Sequence, residues 1–479
     1  MSKIYITTAI PYVNGAPHIG HALDYLLADV YARYQTARGN TVRFQAGTDE
    51  HGNKIYKKAE ELGIPVQSYV DENSAKFREF IQKLGVEPTD FIRTTDETHE
   101  RRCQAIWQKL KDHIYLDSYE GWYCEGCERF VTDKEYEENS GTCPDHNKPY
   151  QKLKEENYYL RIADFKPQIE KAIKENALQI LPEFRAKEVL QLLKDTPDVS
   201  ISRPTSQLQW GIKVPGDDSQ VMYVWIDALS NYITILGYPD QDISDYWPAT
   251  AQFVGKDILR FHAIIWPAML LALGLPLPKT IVSHGFVLAD GQKMSKSIGN
   301  VVDPLEVLAD KGLAAFRYFF LRHADTFADS DFTWEKYHAA YNNELANDLG
   351  NLVQRLANLC KKQDLSGLTN FQPAADPEYD ALMSDFCFTK AFDYVWEKVA
   401  ALNKEIDDKK PWELAKLPEK HDELINILEK FATDLLQTAH LLAPFLPEVA
   451  TAITDIFTGA SDTNGKIVPP ATPLFPKDR

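Results

Sequence analysis

The first part of the chain alternates short apolar-rich runs with a longer amphipathic segment. Residues 4–10 and 42–46 are apolar-rich runs of strand length. Between them, residues 22–34 carry apolar side chains at helical spacing, and the pattern ends near Gly39. This strand–helix–strand order predicts a parallel sheet, in which ligands bind beyond the carboxyl ends of the strands.

The pattern changes near residue 117, where a polar, cysteine-bearing stretch begins. Strand-like runs return near residue 221, and after about residue 334 the pattern is helical throughout. We therefore predict an α/β domain that is split by an insertion and followed by a helical domain. The predicted units are, in chain order, 1–116, 117–220, 221–333 and 334–479.

Composition and charge narrow the class of protein. The 479 residues allow about three domains, and six cysteines are too few for a disulfide scaffold. The longest apolar stretch, 258–275, contains Arg260, His262 and Pro267, so it predicts a buried helix rather than a membrane span. Without a signal peptide, a cytoplasmic protein with no membrane partner is expected. The net charge of −18 excludes nucleic-acid binding through bulk charge but leaves room for a local contact surface.

The cysteines include a cluster with metal-binding spacing. Cys124 and Cys127 form one knuckle, and Cys143 and His146 form a second, with fifteen residues between the two. Four such ligands suit a structural zinc ion, because they leave no open position on a tetrahedral metal. The alternatives are a redox pair or a chance spacing. The remaining cysteines are predicted to be buried and to pack as small apolar residues; they are Cys103, Cys360 and Cys387.

Two further motifs carry candidate chemistry. His18 and His21 flank Gly20 at a strand-to-helix turn, which suits a metal site, an acid–base pair or a phosphate cradle, or simply a helix cap. Residues 291–300 contain two lysines and two serines between glycines and follow the apolar run 281–287, predicted to be a strand. Such a loop suits polyphosphate binding, although on its own it is also typical of a solvated basic turn.

Together, residues 17–21 and 293–297 are similar to the paired signature motifs of class I aminoacyl-tRNA synthetases. Further stretches resemble the methionyl-tRNA synthetase family in particular, and the similarity runs from Lys3 to past Trp412. These stretches are 7–18, 47–52, 223–228, 253–258 and 284–287. The resemblance implies a Rossmann-like parallel-sheet catalytic domain, split by an insertion with one structural zinc per chain, and an α-helical bundle that binds the anticodon.

The resemblance also implies the reaction. Methionine and Mg-ATP would give methionyl-adenylate and pyrophosphate, and the methionyl group would pass to the terminal ribose of tRNA(Met), initiator and elongator alike. Some members of the family continue into a further tRNA-binding domain that dimerises. Here the sequence ends soon after Phe475, and we expect a monomer.

The resemblance assigns site residues as well. Catalysis at the phosphates is assigned to His18, His21, Lys293 and Lys296. Nucleotide binding is assigned to Gly20, Gly255, Lys256, Asp257, His262 and Lys296. The methionine pocket is assigned to Ile10, Tyr12, Trp225, Ala228, Tyr232 and His284, with Asp49 pairing the substrate ammonium. The anticodon is assigned to Asn351, Arg355 and Trp412. Apolar residues from Leu345 to Cys360 recur at helical spacing and predict one buried stripe on the helix after residue 334. Without the resemblance, the aromatic residues indicate core packing, and Asn351 and Arg355, on the opposite face, indicate a solvated surface.

Two rival hypotheses follow from the same motifs. The first is a class I synthetase for leucine, isoleucine, valine or cysteine, against which the region of Asp49 and residues 223–228 argue. The second is a tRNA-binding regulator that has lost catalysis. The presence of His18, His21 and Lys296 argues against that regulator.

Overall fold

A computed structural model describes residues 1–127, 129–294, 300–361, 363, 365–460, 462 and 466–477. Its strands, in chain order, are β1 Lys3–Thr8, β2 Thr41–Thr48, β3 Asp90–Arg93, β4 Ile114–Cys124, β5 Arg129–Val131, β6 Gln151–Leu160, β7 Gln179–Leu181, β8 Val199–Ser200, β9 Ser202–Pro204, β10 Lys213–Val214, β11 Asp217–Met222, β12 Ala251–Gly255, β13 Thr280–His284, β14 Val287–Ala289, β15 Gln292–Lys293 and β16 Ser330–Phe332.

Its α-helices, in chain order, are α1 Ile19–Ala37, α2 Asn53–Leu62, α3 Val66–Lys83, α4 Glu97–Leu110, α5 Asp133–Glu138, α6 Lys166–Lys174, α7 Glu183–Asp195, α8 Val224–Thr234, α9 Trp266–Ala272, α10 Pro304–Tyr318, α11 Trp334–Ala339, α12 Asn351–Cys360, α13 Pro377–Ser384, α14 Phe388–Lys409, α15 Pro411–Leu414, α16 His421–Leu442 and α17 Pro447–Thr458. Segments of π-helix span Phe261–Ile265, Phe319–His323 and Ala340–Gly350, and single 3₁₀ turns span Lys111–His113, Ser366–Asn370 and Pro418–Lys420. Past β16, the part of the chain that the structure describes contains helices and loops and no strand.

The main sheet is parallel, with the strand order β3-β2-β1-β12-β13-β7. Residue Ile6 of β1 is fully buried and pairs with Phe44 on one side and Ala251 on the other. The strands β1, β2 and β3 lie side by side in chain order. The chain then crosses to the other side of β1, where it forms β12 and β13. The order in which strands are added to the sheet therefore reverses between β1 and β12. Open α/β sheets bind ligands at such a switch point. The predicted α/β fold with a helical carboxyl-terminal part is confirmed.

The segment 117–220 contributes strands to three sheets, one of which is the small antiparallel sheet of β9, β10 and β11. The long strands β4 and β6 form most of an antiparallel sheet with β5 and β8. In contrast, β7 pairs in parallel with β13, with Ile180 opposite Ile281, and becomes the edge strand of the main sheet. The segment predicted as an insertion thus also completes the sheet that it interrupts.

The predicted strand over 281–287 is wrong in extent, because the structure divides it into β13 and β14. The break lies at Gly285, where a Cβ atom would stand 2.1 Å from the carbonyl oxygen of Ala328. The backbone of the neighbouring loop passes so close at this point that only glycine fits, and the chain turns there from one sheet into another.

The apolar stretch 258–275 is a buried helical segment, as predicted. It comprises a π-helical turn that continues directly into α9, with Pro267 near the start of α9. None of the helices in the described ranges combines the length and the apolarity that a membrane crossing requires.

The helical part packs directly against the α/β part. Leu345, Leu352 and Leu356 of the stripe predicted on the helix after residue 334 are fully buried. Buried Arg317 joins the two parts, since its guanidinium donates to Asp29 of α1 at 2.7 Å and to the carbonyl oxygen of Phe445 at 2.7 Å. The helix that begins at the histidine motif is therefore anchored to the end of α16.

Candidate active site

A cavity of about 460 Å³ opens at the carboxyl ends of β1 and β12, where the strand order of the main sheet reverses. Its walls come from the carboxyl ends of several strands: Ile10 and Tyr12 follow β1, Asp49 follows β2, Gly255 ends β12 and His284 ends β13. Parallel strands end at the same edge, so residues that are remote in sequence meet here. The cavity is lined by all the residues assigned to methionine, and by these described residues assigned to the phosphates or to the nucleotide: His18, Gly20, His21, Gly255, Asp257, His262 and Lys293.

The histidine motif forms the amino-terminal cap of α1. The Nδ1 atom of His18 accepts a hydrogen bond from the Gly20 N–H at 3.2 Å, and Nδ1 of His21 accepts from the His18 N–H at 3.1 Å. The two rings stack with their centroids 3.8 Å apart, and His21 packs its edge on Phe77. Because both Nδ1 atoms accept, the neutral rings carry their hydrogens on Nε2. Burial, followed by the neighbouring His18, holds the pKa of His21 well below its usual value.

Gly20 serves this cap directly. A Cβ atom there would lie 3.0 Å from Cε1 and Nδ1 of the His18 ring. A larger residue would push the ring away from the N–H that it caps. Glycine is therefore required here for the histidine geometry as well as for access to the backbone.

The side of the cavity formed by α8 has a fixed phenol. Nδ1 of His262 lies 3.0 Å from the Ile258 carbonyl oxygen, to which it donates, so Nε2 accepts the Tyr232 hydroxyl at 2.8 Å. Burial lowers the pKa of His262 to about 4, so the ring is neutral at pH 7. Beside it, Trp225 stacks on Phe261 with centroids 3.7 Å apart and planes 5° from parallel. The aromatic wall is thus held in place from behind.

Asp49 is held by the backbone of the segment after β1. Its N–H donates to the Pro11 carbonyl oxygen at 2.9 Å, and its carbonyl oxygen accepts from Val13 at 3.1 Å. Beyond the β1–β2 pairing, Tyr12 and Asp49 form one further parallel bridge, which is shifted by one residue from the register of that pairing. The two residues therefore reach the cavity side by side.

Asp24 is a cavity residue that the sequence reasoning missed. Its Oδ1 lies 3.2 Å from Nε2 of His284, whose Nδ1 faces the Gly285 carbonyl oxygen at 2.8 Å. Burial lowers the pKa of His284, but the hydrogen bond to Asp24 and the charge of Asp24, together with the Gly285 carbonyl oxygen and the charge of Asp257, more than offset burial and raise that pKa. The available signal was its position three residues after His21 on the same helix, which places both on one face.

The turn after β12 places its three residues differently. A Cβ atom on Gly255 would lie 2.8 Å from Oδ1 of Asp257, so glycine lets that carboxylate fold across the strand end. Gly255 and Asp257 line the cavity. Lys256 instead places its Nζ 2.7 Å from both carboxylate oxygens of Asp329 and 4.4 Å from the centroid of the Phe286 ring. The structure thus brings two of the three together in the cavity.

The start of the lysine-rich segment is a β-hairpin. Asp290 and Gly291 both have positive φ and form the two-residue turn between β14 and β15. Lys293, at the end of β15, lines the cavity and lies 4.7 Å from the centroid of the Phe286 ring. Lys296, which was also assigned to the phosphates, lies outside the described residues.

The four predicted metal ligands meet in one cluster. The ligand atoms of Cys124, Cys127, Cys143 and His146 all lie within 4.8 Å of one another. Cys127 Sγ is 3.5 Å from Cys143 Sγ and 3.4 Å from His146 Nδ1. A tetrahedral zinc ion with bonds of about 2.0–2.3 Å requires ligand separations of about 3.5–3.8 Å, so the cluster could hold such an ion. Gly126 is needed in the turn, since a Cβ atom there would lie 2.3 Å from Cγ of His146.

Of the cysteines outside the cluster, Cys103 and Cys360 are buried and Cys387 is half-buried. Sγ of Cys103 lies 3.2 Å from Nε2 of the buried His99, so this thiol has a polar neighbour and is more than an apolar filler.

Two of the three predicted anticodon residues share a groove on the helical part. Asn351 and Arg355 line an open groove of about 700 Å³ between α12 and α14. The Arg355 guanidinium donates to Asp407 at 2.6 Å and to the Asn403 side chain at 3.2 Å. Trp412, on α15, packs half-buried against the helical core, and it is not among the described residues that line the groove.

This combination of sheet, histidine cap and helical part corresponds to a known class of proteins. Residues 4–152 and 147–357 match the family described as class I tRNA synthetases (M). The methionine–tRNA ligase of Caldanaerobacter subterraneus subsp. tengcongensis is 41% identical over 465 residues, which cover 92% of this chain and 72% of that protein. That of Bacillus subtilis is 40% identical over 475 residues, covering 93% and 71%.

The solved structures agree with the sequence relatives. The structure of Mycobacterium tuberculosis methionyl-tRNA synthetase in complex with methionyl-adenylate matches with a TM-score of 0.90 at 33% identity, covering 99% of this chain and 100% of the other. The chain therefore belongs to the methionine–tRNA ligase family of the class I tRNA synthetases.

Proposed function

We propose that the protein is a methionine–tRNA ligase. It activates methionine with ATP to methionyl-adenylate, releases pyrophosphate, and transfers the methionyl group to the 3′ end of tRNA(Met). The observation that carries this proposal is a single cavity at the point where the strand order of the parallel sheet reverses. The capped histidine pair, Asp49 and an aromatic wall all line this cavity. Family membership supports the same reaction.

The chemistry requires little covalent participation from the protein. A carboxylate oxygen of methionine attacks the α-phosphorus, and the bond from that phosphorus to the oxygen bridging to the β-phosphate breaks. The substrate is its own nucleophile, so the protein must position the reactants in line and stabilise charge on the phosphate oxygens. In the second step a ribose hydroxyl of the tRNA attacks the methionyl carbonyl carbon, and AMP leaves.

His18 and His21 are suited to stabilise the phosphates. The cap fixes both rings with Nε2–H as donors, and burial keeps His21 neutral, so neither tautomer nor charge has to change during the reaction. The amino terminus of α1 adds the positive end of its dipole. Lys293 and Lys296 neutralise the β- and γ-phosphates as pyrophosphate leaves, with Mg²⁺ entering as part of Mg-ATP.

The nucleotide is bound beside the histidines. Gly20 allows close approach to the start of α1, and Gly255 and Asp257 face the adenosine from the end of β12. Lys256 and His262 act indirectly. Lys256 is paired with Asp329, and His262, which lines the cavity, orients the phenol of Tyr232.

Methionine occupies the part of the cavity between the strand ends and α8. Its ammonium pairs with Asp49, and its thioether lies against Tyr12, Trp225 and Tyr232, since sulfur packs favourably on aromatic rings. Three further residues, Ile10, Ala228 and His284, complete the pocket. Homocysteine, shorter by a methyl group, is rejected by about 1–3 kcal/mol in such a pocket.

The helical part reads the anticodon of tRNA(Met), which initiator and elongator tRNAs share. The groove beside α12 supports this role, because its amide and guanidinium groups suit the edges of unstacked bases. Asn351 and Arg355 supply these hydrogen bonds, and Trp412 supplies a stacking surface. Asp407 and Asn403 hold the Arg355 side chain across the groove until RNA binds.

This assignment divides the chain into four segments. The segments 1–116 and 221–333 are the two halves of the catalytic domain, 117–220 is a connective unit, and 334–479 is an anticodon-binding unit. The connective unit donates β7 to the catalytic sheet, so it is built into the active-site scaffold. We further propose that the protein acts in the cytoplasm as a monomer.

The knuckle cluster holds one structural zinc ion per chain. The ion would cross-link the turn after β4 to the loop that carries Cys143 and His146. Metal analysis of the purified protein is expected to find about one zinc per chain, and Cys143→Ser to lose most of it. Cys387→Ser, outside the cluster, is the matched control and should keep its zinc. Zinc-free wild-type protein would refute the knuckle assignment.

Charging of a tRNA(Met) transcript tests the complete function. With methionine and Mg-ATP, the transcript should accept methionine at its 3′ end, and a transcript with an altered anticodon should be charged much more slowly. Equal charging of both transcripts would contradict the anticodon role, and no charging of either would contradict transfer to tRNA.

A further inference from the structure

Behind the aromatic wall lies a buried ion pair that contacts neither proposed substrate. Asp227 sits on α8 between the cavity-lining residues Trp225 and Ala228, and its side chain is 1% exposed. Its Oδ2 lies 2.7 Å from Nδ1 of His51. His51 in turn follows Asp49 by two residues. The pair thus connects α8 with the strand-end segment that carries the proposed ammonium ligand.

Both ring nitrogens of His51 face carboxylates. Nδ1 faces Asp227, and Nε2 lies 3.4 Å from Oε1 of Glu100 on α4. Two acceptors require two ring hydrogens, so the ring is an imidazolium. Burial lowers the pKa of His51, but the charge and hydrogen bond of Asp227, together with those of Glu100, more than offset burial and raise that pKa to about 10. The link is therefore a charged pair at neutral pH.

The second oxygen of Asp227 is held just as firmly. Oδ1 lies 2.7 Å from Nε2 of His99 on α4, whose Nδ1 lies 2.7 Å from the Thr234 hydroxyl at the end of α8. Asp227 thus has a fixed partner on each side. Neither oxygen can move without leaving a buried polar group unpaired, which is costly.

The strand-end segment is equally constrained on the side of His51. The indole N–H of Trp210 donates to the Glu50 carbonyl oxygen at 2.7 Å, and the Gly52 N–H donates to the Trp210 carbonyl oxygen at 3.0 Å. Gly52 has a φ of 120°, and a Cβ atom there would lie 2.2 Å from the hydroxyl of Tyr12. A displacement of His51 is therefore transmitted to Asp49 and Tyr12 rather than absorbed by the loop.

Building on the proposed methionine activation, we propose that His51 and Asp227 are positioning residues for methionine. Their ion pair sets the separation between the Asp49 carboxylate and the wall formed by α8. Apolar side chains would fill the same space at no electrostatic cost, but they would not fix one direction and one distance. The strand-end segment holds the methionine ammonium through Asp49, and α8 holds the thioether. Methionine binding therefore depends on the distance between these two elements.

The test compares methionine with ATP in the pyrophosphate-exchange reaction. His51→Leu and Asp227→Asn are expected to raise KM for methionine about 10- to 100-fold, the effect of a misplacement of roughly 1 Å. KM for ATP should stay within about twofold, because the histidine cap does not contact the pair. The double variant should be no worse than the more damaged single variant, since both remove the same link.

Glu100→Gln is the matched control. It keeps an acceptor for His51 Nε2 and leaves the pair with Asp227 intact, so both KM values should stay within about twofold of wild type. A merely structural role would lower the melting temperature and the titrated fraction of active sites, with both KM values unchanged in the remaining enzyme. That result would overturn the positioning role.

A second variant covers the case in which these substitutions prevent folding. His51→Asn places an amide donor near the position of Nδ1 without the charge, and a smaller rise in KM for methionine alone would again support positioning. If wild-type protein showed no exchange with methionine, the proposed function would fail instead, so the two failures are distinguishable.

Discussion

His21→Asn is expected to slow methionyl-adenylate formation by about 10²–10³-fold, the usual cost of removing one donor to a developing anion. The asparagine Oδ1 can take over the hydrogen bond from the His18 N–H, so the cap of α1 survives while the Nε2 donor is lost. The loss should therefore appear in kcat of exchange, with KM for methionine nearly unchanged.

The matched control is His113→Asn, which changes a histidine in the turn after α4, remote from the cavity in sequence and outside its lining. Exchange should stay within about twofold of wild type, as for most surface substitutions. Retention of wild-type exchange in His21→Asn would show that the ring serves only as a cap, and the phosphate role would have to be abandoned.

Trp412→Ala is expected to have the second large effect, on tRNA charging alone. Loss of one aromatic surface for base stacking costs about 1–3 kcal/mol, so charging should fall about 10- to 100-fold. Exchange should be unchanged, because α15 belongs to the helical part and contributes no residue to the described lining of the cavity.

Trp334→Ala removes another exposed tryptophan, at the start of α11, and serves as the control for that variant. It should leave both charging and exchange within about twofold of wild type. If Trp412→Ala reduced exchange as much as charging, the residue would be part of the structural core instead of the anticodon surface. Trp412 is not among the described residues that line the groove of Asn351 and Arg355, so comparing the loss of exchange with the loss of charging tests its role directly.

Local patterns in the sequence predicted the local structure well. The strand-to-helix turn at His18 and the apolar stripe on α12 follow from spacing along a few residues, and both are confirmed. One local signal was overlooked. Asp290 and Gly291 are a typical two-residue hairpin turn, and the structure begins the lysine-rich segment with that hairpin.

Features that depend on remote partners could not be predicted in this way. The short strand β7 gains its place only by pairing with β13, about a hundred residues later in the chain. His284 meets Asp24 across 260 positions, and Asp227 meets His51 across 176. Nothing in the spacing of one short motif encodes such contacts, because the fold of the whole sheet creates them.

Exchange of labelled pyrophosphate into ATP, measured with one amino acid at a time, tests the central claim most directly. Methionine should support rapid exchange, whereas leucine, isoleucine, valine and cysteine should give only background. Homocysteine should be activated about 10- to 200-fold less efficiently than methionine. Exchange with one of the other amino acids but not with methionine would contradict the assignment, and no exchange with any of them would favour a tRNA-binding protein without catalysis.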